Sequence, residues 1–372
     1  MTNTRTSRSG AAAHTVGLDI GGTKILGALL DADGGLVAVT RLPTELGPDG
    51  VVRSAARAVH DVVGAAGLGI DVVGGVGLGI PGIVDARAGT VKHAVNLGVA
   101  EELPLAELLS ETLGGIPVVV ENDLNVAAVG AAHQLERDKP GAARHEDLAF
   151  LALGTGVASG LVMDGRLRRG VSGAAGEIGH VPIDPSGPEC SCGQRGCIET
   201  FVSGTALATA WPSRHGRPSP VELFEAADAG DDRAVRVRKQ FADAVAAAVR
   251  LLALTVDVRH VVLGGGVAQL GRPLLDVVRE SLREQAQASP FLASLGLAGR
   301  VTLAPPDVPV AAVGAAVLGR RDERPEEPEE FGAAPSDPSA KDPAAAGRTE
   351  AGAGRNTALA GTKTKGALTW RS

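Results

Sequence analysis

Tyrosine is missing from this chain of 372 residues, tryptophan and methionine occur twice each, and aromatics make up 2% of the total. A core of stacked rings is excluded, and burial falls to Val, Leu, Ile and Ala. Cysteine is as scarce: Cys190, Cys192 and Cys197 are the whole supply and lie within eight residues. Thiols so crowded cannot be the spread framework of a disulfide-stapled secreted domain, and they point to a metal in a reducing cytoplasm. Basic charge is in deficit, with 36 Lys and Arg against 43 Asp and Glu and a net charge of −7, where a nucleic-acid binder carries a basic excess. No stretch offers the roughly 18 uninterrupted apolar residues of a membrane span, and the opening MTNTRTSRSGAAAHT has no signal-like apolar core. The expectation is a soluble cytoplasmic protein with no nucleic-acid or membrane partner.

Glycine is in excess, with 51 residues, about twice ordinary usage. The length suggests two domains or two lobes, at roughly 100–200 residues each. A polar arm at 1–13 is expected to be disordered. From Val16 the pattern reads strand, glycine turn, strand, strand to Leu42, a meander. A helix over 50–66, a strand over 72–80, a helix over 104–113, a strand over 117–123 and a helix over 124–136 complete a first α/β lobe, 14–136. Near 148 the theme restarts with LAFLALGTG and SGLVMDG, which suggests an internal duplication and a cleft between facing lobes. The second lobe, 137–320, holds a Cys-containing loop at 180–198, helices at 220–229 and 231–256, a strand at 259–266, a helix at 273–287, a strand at 300–304 and a last helix at 309–319. From Arg321 only Phe331, Leu359, Leu368 and Trp370 are large and apolar, so 321–372 is expected to be a disordered tail.

The motifs carry the chemistry. DIGGTK, from Asp19 through Gly21, Gly22 and Thr23 to Lys24, ends an apolar strand, where glycines let backbone N–H groups approach an anion. It suits phosphate, or it is a plain hairpin turn; the P-loop spacing and the following helix are lacking. LGTGVASG, with Thr155 and Gly156, offers a second such turn, and two facing turns can hold both ends of a polyphosphate. GLGIPG at 77–82 formally matches a dinucleotide fingerprint, but Pro81 and the extended IVD beyond it leave no helix to receive a pyrophosphate. In ENDLN, Asp123 stands where a buried strand meets a helix. It is either an N-cap or a general base at the mouth of a cleft. His180, Cys190, Cys192 and Cys197, spaced 10, 2 and 5 apart, are a full tetrahedral set for zinc, with no position open for a reactive water. Glu177 and Glu199 flank that set, and a metal-stiffened loop would hold both carboxylates ready for sugar hydroxyls. Gly264, Gly265 and Gly266 end another apolar strand; they would admit adenine and ribose, or form a simple turn.

Together these residues resemble the ROK family of bacterial sugar kinases and sugar-responsive repressors, most closely its glucokinases, across about 14–320. The match is closest from Gly179 to Glu199, which follows the family pattern GHxxxxxxGxxCxCGxxGCxE throughout. The resemblance implies an α/β, two-lobed actin-like ATPase (ribonuclease H-like) fold with a central cleft. It implies ATP-dependent phosphorylation of a hexose at the 6-hydroxyl, with glucose, another hexose or an N-acetylhexosamine as substrate. It further implies Asn122, Asp123, Glu177, His180 and Glu199 as sugar ligands, Asp123 as base, Gly82 lending backbone to the sugar, Mg²⁺ and structural Zn²⁺ as cofactors, and a homodimer or homotetramer. Two departures stand out: Ala158 and Ser159 replace further glycine in the second turn, and the tryptophan common after Asn-Leu is lacking beside Asn96. A sugar-sensing regulator is the other expectation, although the family's repressors carry a winged helix-turn-helix before the first strand, where here about 13 polar residues stand.

Overall fold

The computed structural model describes residues 14–138 and 147–320. The expected arm at 1–13 and tail at 321–372 lie outside the described residues. The opening meander is β1 (His14–Ile20), β2 (Lys24–Leu30) and β3 (Leu36–Pro43), antiparallel in register, with Asp19 opposite Leu26. Next comes α1 (Pro48–Ala65), opened by a proline whose missing N–H costs nothing in a first turn. It buries Val51, Ala55, Val59 and Val62 along one stripe. Then follow β4 (Val73–Ile80), a small hairpin of β5 (Ile83–Asp85) and β6 (Thr90–Lys92), α2 (Leu105–Thr112), β7 (Val118–Asn122) and α3 (Asp123–Asp138). The first sheet runs β3-β2-β1-β4-β7, and β4 and β7 join parallel to β1 through the α1 and α2 crossovers.

The second half repeats this plan. It contains β8 (Leu148–Leu153), β9 (Val157–Met163), β10 (Arg166–Leu167), α4 (Glu199–Val202), α5 (Gly204–Ala210), α6 (Ser219–Asp228), α7 (Asp232–Val256), β11 (His260–Gly264), α8 (Arg272–Gln287), α9 (Pro290–Leu295), α10 (Leu297–Arg300), β12 (Val301–Leu303) and α11 (Val310–Leu318). Its sheet runs β10-β9-β8-β11-β12, with an antiparallel β8–β9 pair and parallel β8–β11 and β11–β12 pairs, strand for strand the order of the first. The long α7 starts on the Asp231 carboxylate, which takes the N–H groups of Arg233 and Ala234; it packs on α4, α6 and α8, with Phe241 edge-to-face on Phe224, in a core shared with Leu151 and Leu263.

Two helices join the halves. α3 packs on β4 and β7 of one sheet and on β8 and β9 of the other, while α11 returns from the end of the second half to lie on β1, β2 and β4. α11, VAAVGAAVL, is apolar all round because it is sandwiched between that sheet and α3. The close approach is made by small residues: a Cβ on Gly17 or Gly77 would collide with the α11 backbone, and one on Gly130 or Gly314 would collide across the α3–α11 crossing. Much of the glycine excess thus serves packing of backbone on backbone.

Candidate active site

Asp19, near the end of β1, and Asp123, which follows β7, stand at the same end of the first sheet, near enough for the charge of Asp123 to act on Asp19. Burial pushes the Asp19 carboxyl up to about 6, with the charge of Asp123 adding to the rise and Lys24 opposing it. Asp123 opens α3 and is likewise raised by burial, against the N–H of Leu124, which donates to its Oδ1 at 3.0 Å. The helix cap is shared, because Asn122 Oδ1, one residue earlier, takes the same N–H at 3.0 Å. Asp123 is therefore more than a capping residue: it is one of two half-buried carboxyl groups that are both raised, and its charge adds to the rise of Asp19. Beside it the first glycine turn is closed by Gly21 N–H on the Lys24 carbonyl at 2.9 Å. Thr44 braces it with its hydroxyl on the Gly21 carbonyl at 2.6 Å and its N–H on the Thr23 carbonyl at 3.3 Å. The Thr23 and Lys24 side chains are left exposed. Gly22 sits where a Cβ would come within 2.8 Å of the Asn96 carbonyl, so the segment carrying Asn96 forms a wall of this turn. Gly82, at φ +117°, folds back against the Lys92 carbonyl and Ala94.

The second glycine turn is built differently. Gly154 N–H meets the Gly156 carbonyl at 3.0 Å, and the Gly154 carbonyl accepts from Gly204 N–H at 2.7 Å. Thr155 is exposed, and its carbonyl is held by the Thr205 hydroxyl at 3.0 Å. Val157 N–H donates to Glu199 Oε2 at 2.9 Å, and a Cβ on Gly156 would lie 2.6 Å from that oxygen. Glu199, expected at the sugar, thus has one carboxylate oxygen on the second turn. Glu177 is exposed, just ahead of a short turn of 3₁₀ helix over Ile178–His180. Gly264 and Gly265 have packing reasons of their own, under the Phe150 ring and against the Leu153 backbone, whereas Gly266 faces open space.

His180, Cys190, Cys192 and Cys197 come together with their ligand atoms within 4.8 Å of one another. Cys192 Sγ and Cys197 Sγ are 3.7 Å apart, and Cys190 Sγ is 3.6 Å from His180 Nδ1. A tetrahedral zinc with ordinary Zn–S and Zn–N bonds separates its ligands by about 3.5–3.8 Å; these two separations match it, and the cluster of one imidazole and three thiols is compatible with that ion. Around them the loop is knitted by Cys190 N–H to the Gln194 carbonyl, Ile183 N–H to the Gly196 carbonyl and Ile198 N–H to the Val181 carbonyl, at 2.8, 2.8 and 3.0 Å. Gln194 steadies the ligands, its Nε2 donating to the His180 carbonyl at 3.0 Å and to Cys192 Sγ at 3.4 Å. Its place inside CxCGxxGC was the signal available for it. Also unforeseen were buried Glu121 and half-buried Arg169, an ion pair beside Asn122. Glu121 follows three valines in β7, where a buried carboxylate needs a partner, but nothing in the sequence says which cation arrives.

The sequence matches the ROK family over residues 15–321. It is 35% identical over 293 residues to a glucokinase of Streptomyces coelicolor, covering 72% of this chain and 87% of that protein. It is 33% identical over 302 residues to an N-acetylmannosamine kinase of Citrobacter koseri, covering 79% and 99%. Its fold is similar to that of a ROK family glucokinase from Streptomyces griseus, solved in complex with glucose and AMPPNP, with a TM-score of 0.62, 32% identity and coverage of 82% and 99%. The duplicated α/β lobes are those of the actin-like ATPase fold, and the chain belongs to the ROK family.

Proposed function

We propose that this chain, a sugar kinase of its family, transfers the γ-phosphoryl group of ATP to the 6-hydroxyl of a hexose, glucose first among the candidates, with Asp123 as general base. The observation that carries the reading is the Asp19–Asp123 pair. Burial raises the Asp123 carboxyl above its ordinary value, which makes its carboxylate a better acceptor for the hydroxyl proton. Asp19, raised to about 6 beside it, suits a divalent cation, and its carboxylate would hold Mg²⁺. That ion supplies neutralisation of the phosphate charge, which together with positioning makes up most of phosphoryl-transfer catalysis. The turns at 19–24 and 153–160 would cradle the phosphates with their backbone, and Gly266 would border the nucleoside. Asn122, Gly82, Glu177, His180 and Glu199 would surround the sugar. His180, whose Nδ1 lies 3.6 Å from Cys190 Sγ, would give that nitrogen to zinc and keep Nε2 for a hydroxyl; the metal, saturated by four protein ligands, would be structural.

The likeness to N-acetylmannosamine kinases favours one second reading, an N-acetylhexosamine as acceptor. Coupled ADP release measured over glucose, mannose, galactose, N-acetylglucosamine and N-acetylmannosamine decides between them. Glucose should give the highest kcat/KM; a preference for an acetylated sugar would replace it, and silence on all of them would end the kinase reading. A homodimer or homotetramer in the cytoplasm completes the proposal, testable by light scattering and cell fractionation.

A further inference from the structure

Three donors around the head of α3 converge on one buried side chain. Glu121, 3% exposed, takes the backbone N–H of Asn122 on Oε1 at 2.9 Å and the Asn125 Nδ2 on the same oxygen at 2.8 Å. Its Oε2 takes Arg169 Nε at 2.7 Å. Glu121 therefore binds both flanks of Asp123: the residue before it, and the residue two positions beyond it in the helix. Arg169 comes from the other half of the molecule, just past β10. Its carbonyl accepts from Ala175 N–H at 3.2 Å, closing a loop whose far end is pinned where the Gly176 carbonyl takes Ser159 N–H at 2.8 Å. Glu177 follows directly. One ion pair thus ties the strand-to-helix junction that presents Asn122 and Asp123 to the base of the loop that presents Glu177.

We infer that Glu121 and Arg169 are positioning residues, a clasp between the halves that fixes the distance from the base to the sugar-binding loop. The inference rests on the reading of Asp123 and Glu177 given above. The chemistry of the pair supports it. An ion pair with Glu121 buried and Arg169 30% exposed is weak evidence for stability, and its place beside the base gives it a geometric role. A carboxylate with two oxygens is also what three donors require. A glutamine has one acceptor oxygen, and its amide would turn N–H against Arg169.

Arg169→Met and Glu121→Gln test it, with Asp123→Asn alongside and circular dichroism to verify that each is folded. A misplacement of about 1 Å at a reacting group costs on the order of 10²-fold. Both clasp variants should therefore lose about that much of kcat/KM for the sugar, through kcat and sugar KM together, while the KM for ATP stays put. Arg169→Lys, which keeps the charge, should recover part of the loss. A pair that merely stabilised the fold would lower the Tm and leave sugar kinetics at 25 °C untouched. Folded Arg169→Met with wild-type sugar kcat/KM would overturn the clasp, as would an equal rise in the KM for ATP. Asp123→Asn separates the two claims: an active Asp123→Asn removes the base assignment, whereas an inactive one beside a fully active Arg169→Met removes only the clasp.

Discussion

The two sheets share one strand order, yet their glycine turns have different endings. The turn after β1 opens onto two carboxylates, Asp19 and Asp123, each raised by burial. The turn after β8 has a carboxylate already seated on its backbone, Glu199 on Val157 N–H, delivered by a loop in which His180 and three cysteines come together. Duplication supplied the scaffold, and residues grafted at the strand ends divided the work. In this account the first half carries the proton chemistry and cation charge, and the second carries recognition through a metal-stiffened loop.

The largest expected effect sharpens the second half. Removing zinc with a chelator, or Cys192→Ser, should loosen 177–199 and with it Glu177 and Glu199. Hydrogen bonds to charged groups are worth roughly 1.5–3 kcal/mol each, so losing two predicts a rise in sugar KM of two to four orders of magnitude. Bound zinc and sugar KM measured on one sample check it, and metal-free protein with unchanged KM would break the assignment. Partial unfolding is expected as well, because metal binding is coupled to folding. Glu199 also holds Val157, so a smaller rise in the KM for ATP should accompany it.

A second comparison sets the turns against each other. The Cβ of Gly22→Ala would meet the Asn96 backbone carbonyl at 2.8 Å, whereas that of Gly156→Ala would meet a carboxylate tip at 2.6 Å. Backbone cannot swing aside, and overpacking of this kind costs about 1–3 kcal/mol; a flexible tip can. Gly22→Ala should therefore lower the Tm by more, while Gly156→Ala should act chiefly on kinetics by displacing Glu199. Thermal melts with both Michaelis constants distinguish them, and equal Tm losses would contradict the account.

The smallest effect on stability is that of a single carboxyl group. Asp19 has a pKa of 3.8 when unfolded and about 6 when folded. Folding binds a proton between these values, so the group is neutral in its effect below pH 3.8 and destabilising above about 6. Asp19→Asn should raise the Tm of ligand-free protein at pH 7 while abolishing much of the activity, and the gain should vanish near pH 4. A Tm that falls at pH 7 would contradict this.

Much of this was legible beforehand. The β1–β3 meander, α1, α7 and α8 stand where glycine punctuation and helical periodicity put them, because each is long enough for its pattern to repeat. The cluster of His180 with three cysteines needed only spacing. The short pieces were not legible. β5, β6 and β10 span three, three and two residues, less than a recognisable alternation. α4 and α5 follow the cysteine loop without a polar interval, so 199–210 carried no helix signal of its own. The return of α11 to the first sheet is a tertiary fact, foreshadowed only by glycines in β1 and β4 that had no local explanation. At the site, Asp123 was visible at a strand–helix junction. Its pairing with Asp19, the contact of Glu199 with the second turn and the arrival of Arg169 at Glu121 all join residues distant in sequence.

The division of labour is tested most directly by Asp123→Asn, with kcat and sugar affinity measured on the same preparation. The amide keeps the shape and the Leu124 contact but cannot accept the hydroxyl proton. Turnover should fall by roughly 10²–10⁴, the scale of a general base, while equilibrium binding of the sugar stays near the wild-type value. Turnover close to that of the wild type, or loss of sugar binding in step with loss of turnover, would contradict the assignment of proton chemistry to the first half.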